Sequence, residues 1–210
     1  VGYGPNPNEV VDRVITLKDA VVIRGNHDRV ACGLSPDDDF TPAAQAAVRW
    51  TAAALTPASR DYLTRLAVGP LAVDDQVAIC HGAPFDEDFY VFSPSDAARA
   101  LRAATHEVCL FGHTHVAVAY AGQDGRVDTA GPYGPAPFTR ALAGTGRWLI
   151  NCGSVGQPRD GDWRAAFGVL DTAAHTCTFH RVEYDVRSTQ RLIRKAGLPA
   201  SLAQRLGPGR

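Results

Sequence analysis

The chain has 210 residues, 45% of them hydrophobic, and a formal net charge of −1. That is enough apolar material to bury a substantial core as one domain, residues 1–210, and the charge provides no basic field for a large nucleic acid or an anionic membrane. No apolar run approaches the roughly 20 residues needed to cross a bilayer, so the reading is of a soluble, cytoplasmic protein with no membrane partner.

The chain opens with a loop rich in Gly and Pro (Gly2, Gly4, Pro5, Pro7). Residues 8–18 follow as a helix capped by Asn8, with Val10, Val11, Val14, Ile15 and Leu17 on its apolar face. The β-branched run 20–24 reads as a buried strand and leads into Gly25-Asn26-His27-Asp28, read as a turn. Thr41-Pro42 and Thr56-Pro57 each pair an N-cap with proline at the first helical position, opening helices over 43–55 and 58–66. Strands over 71–73 and 76–80 deliver His81-Gly82. Ser95 caps a helix over 96–104, and strand 107–111 delivers Gly112-His113-Thr114-His115.

Beyond His115 the pattern becomes mainly antiparallel strand. Residues 116–121 and 126–128 form a hairpin through Gly122-Gln123-Asp124-Gly125, followed by strands over 147–152, 166–171 and 176–185 with a turn at 172–175. The Gly/Pro-rich stretch 129–146 reads as a mobile surface insertion in preference to a substrate-side flap carrying Tyr133 and Phe138. A helical tail covers 188–195, ending before Gly197 and Pro199.

Five cysteines (Cys32, Cys80, Cys109, Cys152, Cys177), an odd number without paired spacing, argue against a disulfide framework and for a reducing compartment. Cys80 reads as a small core residue facing away from His81. The acidic groups Asp86-Glu87-Asp88 and Asp37-Asp38-Asp39 read as solvated loops.

Three strand-like runs each end in residues of metal-ligand type, at the carboxyl ends where open α/β sheets place their sites. On an extended segment His113 and His115 point to one face, roughly 6–7 Å apart at Cα. That spacing suits two metals about 3.5–4 Å apart. Nitrogen and amide-oxygen donors without thiolate suit Mn²⁺, Fe, Ni²⁺ or Zn²⁺.

The ordered set GNHD, HGAP, GHTH, continued by Asn151-Cys152-Gly153-Ser154-Val155-Gly156-Gln157-Pro158-Arg159-Asp160, resembles the calcineurin-like metallophosphoesterase superfamily, most closely its small bacterial single-domain branch. The resemblance implies a four-layer α/β/β/α sandwich of two mixed sheets and a dinuclear centre of divalent metals. A metal-bound hydroxide would there hydrolyse a small phosphorylated substrate. Carried over by position, Asn26, His81 and His113 would be ligands of one metal and His115 of the other. His27, with Asn26, would face the substrate, and Asp28 would hold the His27 imidazole in its useful tautomer.

The chain departs from the superfamily pattern in two ways. The Asp-x-His of the first strand and the Gly-Asp with its bridging carboxylate are not in this sequence, so the first strand and its ligands are expected to be missing and activity impaired. A catalytically inactive metal- or phosphate-binding relative is the alternative. Cys152 stands where this branch usually has Pro.

Overall fold

The computed structural model describes residues 1–142, 144 and 146–210. In chain order the elements are α1 (Pro7–Ile15), α2 (Asn26–Ala31), α3 (Pro42–Ala54), α4 (Pro57–Arg65), β1 (Leu71–Ala72), β2 (Val77–Ile79), α5 (Pro94–Ala103) and β3 (Val108–Leu110). They continue with β4 (Ala117–Gln123), β5 (Arg126–Gly131), β6 (Phe138–Ala141), β7 (Arg147–Cys152), β8 (Ala165–Asp171), β9 (Thr176–Val182), α6 (Val186–Lys195) and α7 (Ala200–Gln204). The chain forms two compact units, Val1–Ala67 with Asp185–Pro208, and Val68–Tyr184 with Gly209–Arg210.

The first unit is helical. Thr41 and Thr56 cap α3 and α4 through their side-chain oxygens, which accept from Ala44 N and Ser59 N, and proline starts each helix, as the sequence predicts. Asn8 does not cap α1. Its amide spans from α1 to the loop between α3 and α4, donating to Ala54 O and accepting from Thr56 N, each at 2.9 Å. Only Val11 of the expected apolar face is buried, with Ala31, Val48, Leu55 and Leu63, whereas Val10, Ile15 and Leu17 are exposed.

The expected strand over residues 20–24 reduces to one parallel bridge, Ile23 to Ala67, with Arg24 N donating to Ala67 O at 3.0 Å. A strand needs a partner along its length, and here one residue finds one. Ile193 of α6, Leu202 of α7 and Ala47 of α3 share a second cluster in this unit. The helix α7, beyond Pro199, lies outside the predicted elements.

The second unit carries both sheets. The larger runs β1-β2-β3-β7-β4-β5 and is mixed, with β2, β3 and β7 parallel and β4 antiparallel to β7. The smaller, β6-β9-β8, is antiparallel in every pair. Side-chain alternation along β7 sets the layers. Trp148 and Ile150 enter a cluster with Cys177 and Phe179 between the sheets, while Leu149 enters a cluster with Ala97, Ala100 and Leu101 of α5 on the opposite face. Leu149 and Ile150 are both fully buried, each contributing about 1.5–3 kcal/mol. This unit thus supplies helix, sheet and sheet, and the remaining helices belong to the first unit.

The predicted hairpin forms as β4 and β5, turning at Asp124 (φ 50°) and Gly125 (φ 78°), an Asp-Gly pair with positive φ at both positions that suits the right-handed twist of the strands. Two expectations in this unit are corrected. The cap of α5 is Ser93, not Ser95: its hydroxyl accepts from Asp96 N while Asp96 accepts from Ser93 N, closing a reciprocal box that a cap at Ser95 lacks. Within the stretch 129–146, residues Phe138–Ala141 are a strand of the smaller sheet, paired with β9, so the stretch is not wholly an insertion; Ala143 and Thr145 lie outside the described residues.

Candidate functional site

Because β2, β3 and β7 run parallel, their carboxyl ends lie at one edge of the larger sheet. His81 follows β2, Gly112–His115 follow β3, and Asn151 and Cys152 close β7. Gly112 N donates to His81 O at 2.8 Å, which holds the first two segments together. Gly82 is required beside them, since a Cβ there would stand 2.5 Å from Glu87 O.

The expectation of an extended His113-Thr114-His115 is corrected. The strand stops at Leu110, and Thr114 N donates back to Gly112 O at 2.7 Å, closing a tight turn around His113. His113 and His115 adopt φ values of 62° and 61°, left-handed conformations that cost about 1–2 kcal/mol each for residues with a Cβ. Such strain persists where surrounding bonds over-determine it. Here Asn151, fully buried, donates from Nδ2 to Gly112 O at 2.7 Å and to Thr114 Oγ1 at 3.0 Å, and its Oδ1 accepts from Gly153 N at 2.9 Å.

The turn sets the imidazoles. His113 Nδ1 lies 3.1 Å from His81 Nε2, and His113 Nε2 lies 3.1 Å from the Asp88 carbonyl. A carbonyl only accepts, so His113 carries its proton on Nε2, and its Nδ1 accepts from His81. Tyr90 lies over the His113 ring at 3.8 Å between centroids and stacks in turn on Phe92. Burial holds the His113 pKa below the usual histidine value.

His115 donates from Nδ1 to the Gln157 carbonyl at 2.7 Å, which leaves Nε2 as its lone-pair nitrogen. Burial first, then the nearby Arg159 charge, lowers its pKa to about 4, so the ring is neutral at pH 7. Arg159 N donates to His115 O at 3.0 Å, and its guanidinium donates to Gln157 Oε1 at 2.8 Å. Tyr90 belongs to no ligand-type pattern, and Arg159 lies in the stretch 151–160 that continues the motifs, where its residue type alone assigns it no role. The acidic residues 86–88 contribute through the Asp88 backbone carbonyl. Cys80 is buried in the core with its Sγ 3.6 Å from Cys109 Sγ, as expected.

Asn26, His27 and Asp28 belong to the helical unit, where they open α2 and do not form a free turn. Asp28 Oδ2 accepts from Gly25 N at 2.8 Å. The Asp28 carboxylate thus caps the start of α2, where the expectation placed it on His27. Consecutive helical residues point about 100° apart, and the carboxylate turns to the exposed N–H of the helix start. The His27 ring sits between Tyr3 (4.3 Å) and Phe40 (4.7 Å). Gly2, at φ 127°, permits this, because a Cβ there would meet His27 Nδ1 at 2.4 Å.

As donors, the side chains suit a first-row divalent cation: imidazoles, two of them (His113 and His115) with the tautomer fixed by a carbonyl, and an amide. A ready cage is a different matter. Among the described residues, no three His, Cys, Asp or Glu side chains come together in a group able to hold a metal ion. His113 and His81 point their facing nitrogens at each other, so a shared metal requires that hydrogen bond to open.

Residues 3–175 match the calcineurin-like phosphoesterase superfamily domain, and the chain belongs to that superfamily of metal-dependent phosphoester hydrolases. It is a metallophosphoesterase. It is similar to the crystal structure of a metallophosphoesterase from Sphaerobacter thermophilus, with 35% identity and a TM-score of 0.86, covering 100% of this chain and 85% of that one. An uncharacterized protein of Methanocaldococcus jannaschii is 29% identical over 215 residues, covering 100% of this chain and 84% of its own. A hypothetical protein from Pyrococcus horikoshii shares the fold, with a TM-score of 0.75 at 20% identity over 100% of this chain and 82% of that one. No helix among the described residues is long and apolar enough to cross a membrane.

Proposed function

We propose that this protein hydrolyses a small phosphorylated substrate on a centre of two divalent metals, with Asn26, His81 and His113 as ligands of one and His115 of the other. Mn²⁺, Fe, Ni²⁺ and Zn²⁺ all suit these donors. When bound, such cations offset the phosphoryl charge and acidify a coordinated water near neutral pH. His115 offers Nε2 because Gln157 holds the proton on Nδ1. Arg159, beside His115, adds a fixed positive charge for the phosphoryl oxygens. His27 stabilises those oxygens or protonates the leaving group.

The observation that supports this reading best is the 3.1 Å contact between His81 and His113 at the ends of neighbouring parallel strands. The test is metal analysis together with hydrolysis of bis(p-nitrophenyl) phosphate in the presence of Mn²⁺. His113→Ala should lower the rate at least about 100-fold and reduce bound metal; full activity and metal content in this variant would remove the proposal. A second reading is a protein that holds metal or phosphate without turning it over. Metal binding without measurable hydrolysis, in this chain and in a version extended at its amino end, selects it.

A further inference from the structure

At the end of the larger sheet opposite the histidines lies a cleft of about 370 Å³, bordered by Arg102, Arg126, Arg147, Gly122, Gln123 and Asp124. It is separated from Cys152, at the site end of β7, by the length of that strand, about 16 Å at the usual rise per residue. Three elements bring the arginines together: Arg102 from the last turn of α5, Arg126 from the first position of β5, and Arg147 from the first position of β7. Arg147 is fixed in place, its Nη1 donating to Ala104 O at 2.5 Å and to Leu101 O at 3.3 Å, which satisfies carbonyls at the end of α5. Arg102 and Arg126 are exposed and make no hydrogen bond or ion pair among the described residues.

Three arginines and one carboxylate-bearing residue, Asp124, line the cleft, in a chain whose net charge is −1. The fork of a guanidinium matches phosphate oxygens in pairs. Part of the wall is bare backbone. A Cβ on Gly146 would stand 2.6 Å from the Gly122 carbonyl oxygen, a backbone atom, so glycine lets the chain entering β7 pass close to β4 there. The volume falls in the range of small-ligand sites, about 300–1,000 Å³, and the weakly negative chain lacks the broad basic field of a nucleic-acid binder.

We propose that this cleft is a second anion site, distinct from the metal centre, that binds a small soluble ligand carrying two adjacent phosphates through Arg102, Arg126 and Arg147. The experiment is calorimetric titration of the metal-stripped full chain with inorganic pyrophosphate. Saturable one-to-one binding is expected, weakened about tenfold by Arg102→Gln and again by Arg126→Gln, each removing a charge-assisted hydrogen bond from an exposed position. His113→Ala should bind pyrophosphate as tightly as the parent, and orthophosphate should bind more weakly. The proposal is overturned by absence of saturable binding, by unchanged affinity in the Arg102→Gln/Arg126→Gln double variant, or by loss of binding in His113→Ala. Thermal unfolding of each variant confirms that the fold is retained.

Discussion

Asn151 donates to Thr114 Oγ1 at 3.0 Å in a fully buried contact, and through the same Nδ2 it holds Gly112 O at 2.7 Å. One amide at the end of β7 therefore clamps the left-handed turn that presents His113 and His115.

Replacing Asn151 with Ala leaves the Thr114 hydroxyl and the Gly112 carbonyl without this donor and Gly153 N without its acceptor. An unsatisfied buried polar group costs about 1–3 kcal/mol. For a chain of this size that corresponds to a fall in Tm of about 2–4 °C per kcal/mol. Hydrolysis and bound metal should fall with it, because the turn is no longer held. Calorimetry and the phosphodiester assay measure both, and an Asn151→Ala protein with unchanged Tm and unchanged activity would contradict the clamp.

Acid should weaken the sheet-bearing unit through Asp162. Its hydrogen bonds with Arg164, at 2.6 Å between Oδ2 and Nη2, hold its carboxyl below the usual range, and Arg181 adds to the effect from 3.9 Å. A folded pKa below the unfolded one means stability is present above the unfolded value, about 3.9, and is lost as pH falls through the folded value. Urea unfolding midpoints of the parent should therefore drop between about pH 4 and lower pH, more steeply than those of Asp162→Asn. Parallel curves for the two proteins would show that the ion pair carries none of the dependence.

Thiol reactivity should divide the five cysteines. Cys80, Cys109 and Cys177 are buried, and a hydrogen bond to Cys109 together with burial pushes the Cys80 thiol up, away from the reactive thiolate. A hydrogen bond to Cys177, and then burial, does the same for Cys152. In the folded protein Cys32 should react first with Ellman's reagent, Cys152 slowly, and all five after unfolding in guanidinium. Three or more fast thiols in the native state would refute the packing.

Filling Gly82 tests the junction behind His81. In Gly82→Ala the new methyl would stand 2.5 Å from Glu87 O and 2.8 Å from Phe89 O, both backbone atoms that cannot swing aside. Overpacking of this kind costs about 1–3 kcal/mol. The loop that carries the Asp88 carbonyl to His113 must then shift, so the variant should lose Tm and metal binding together. A crystal structure of the variant with residues 86–90 unmoved would exclude this coupling.

The sequence alone located the motifs and most of the elements, because the signals involved are local. The run at 147–152 becomes β7 at the same bounds, Asp124-Gly125 makes the expected hairpin turn, and Thr41 and Thr56 cap the expected helices. Where local signals compete, the tertiary structure decided. Asn8 satisfies polar groups 46 and 48 residues away in place of its own helix. Asn26 opens a helix in place of a turn, and Phe138–Ala141 becomes a strand because β9 offers an edge to pair with. The shape of the histidine turn belongs to the same class. Spacing placed His113 and His115 together, but their left-handed backbone depends on Asn151, some 37 residues on from Thr114, and on a buried position where its amide has no water to bond instead.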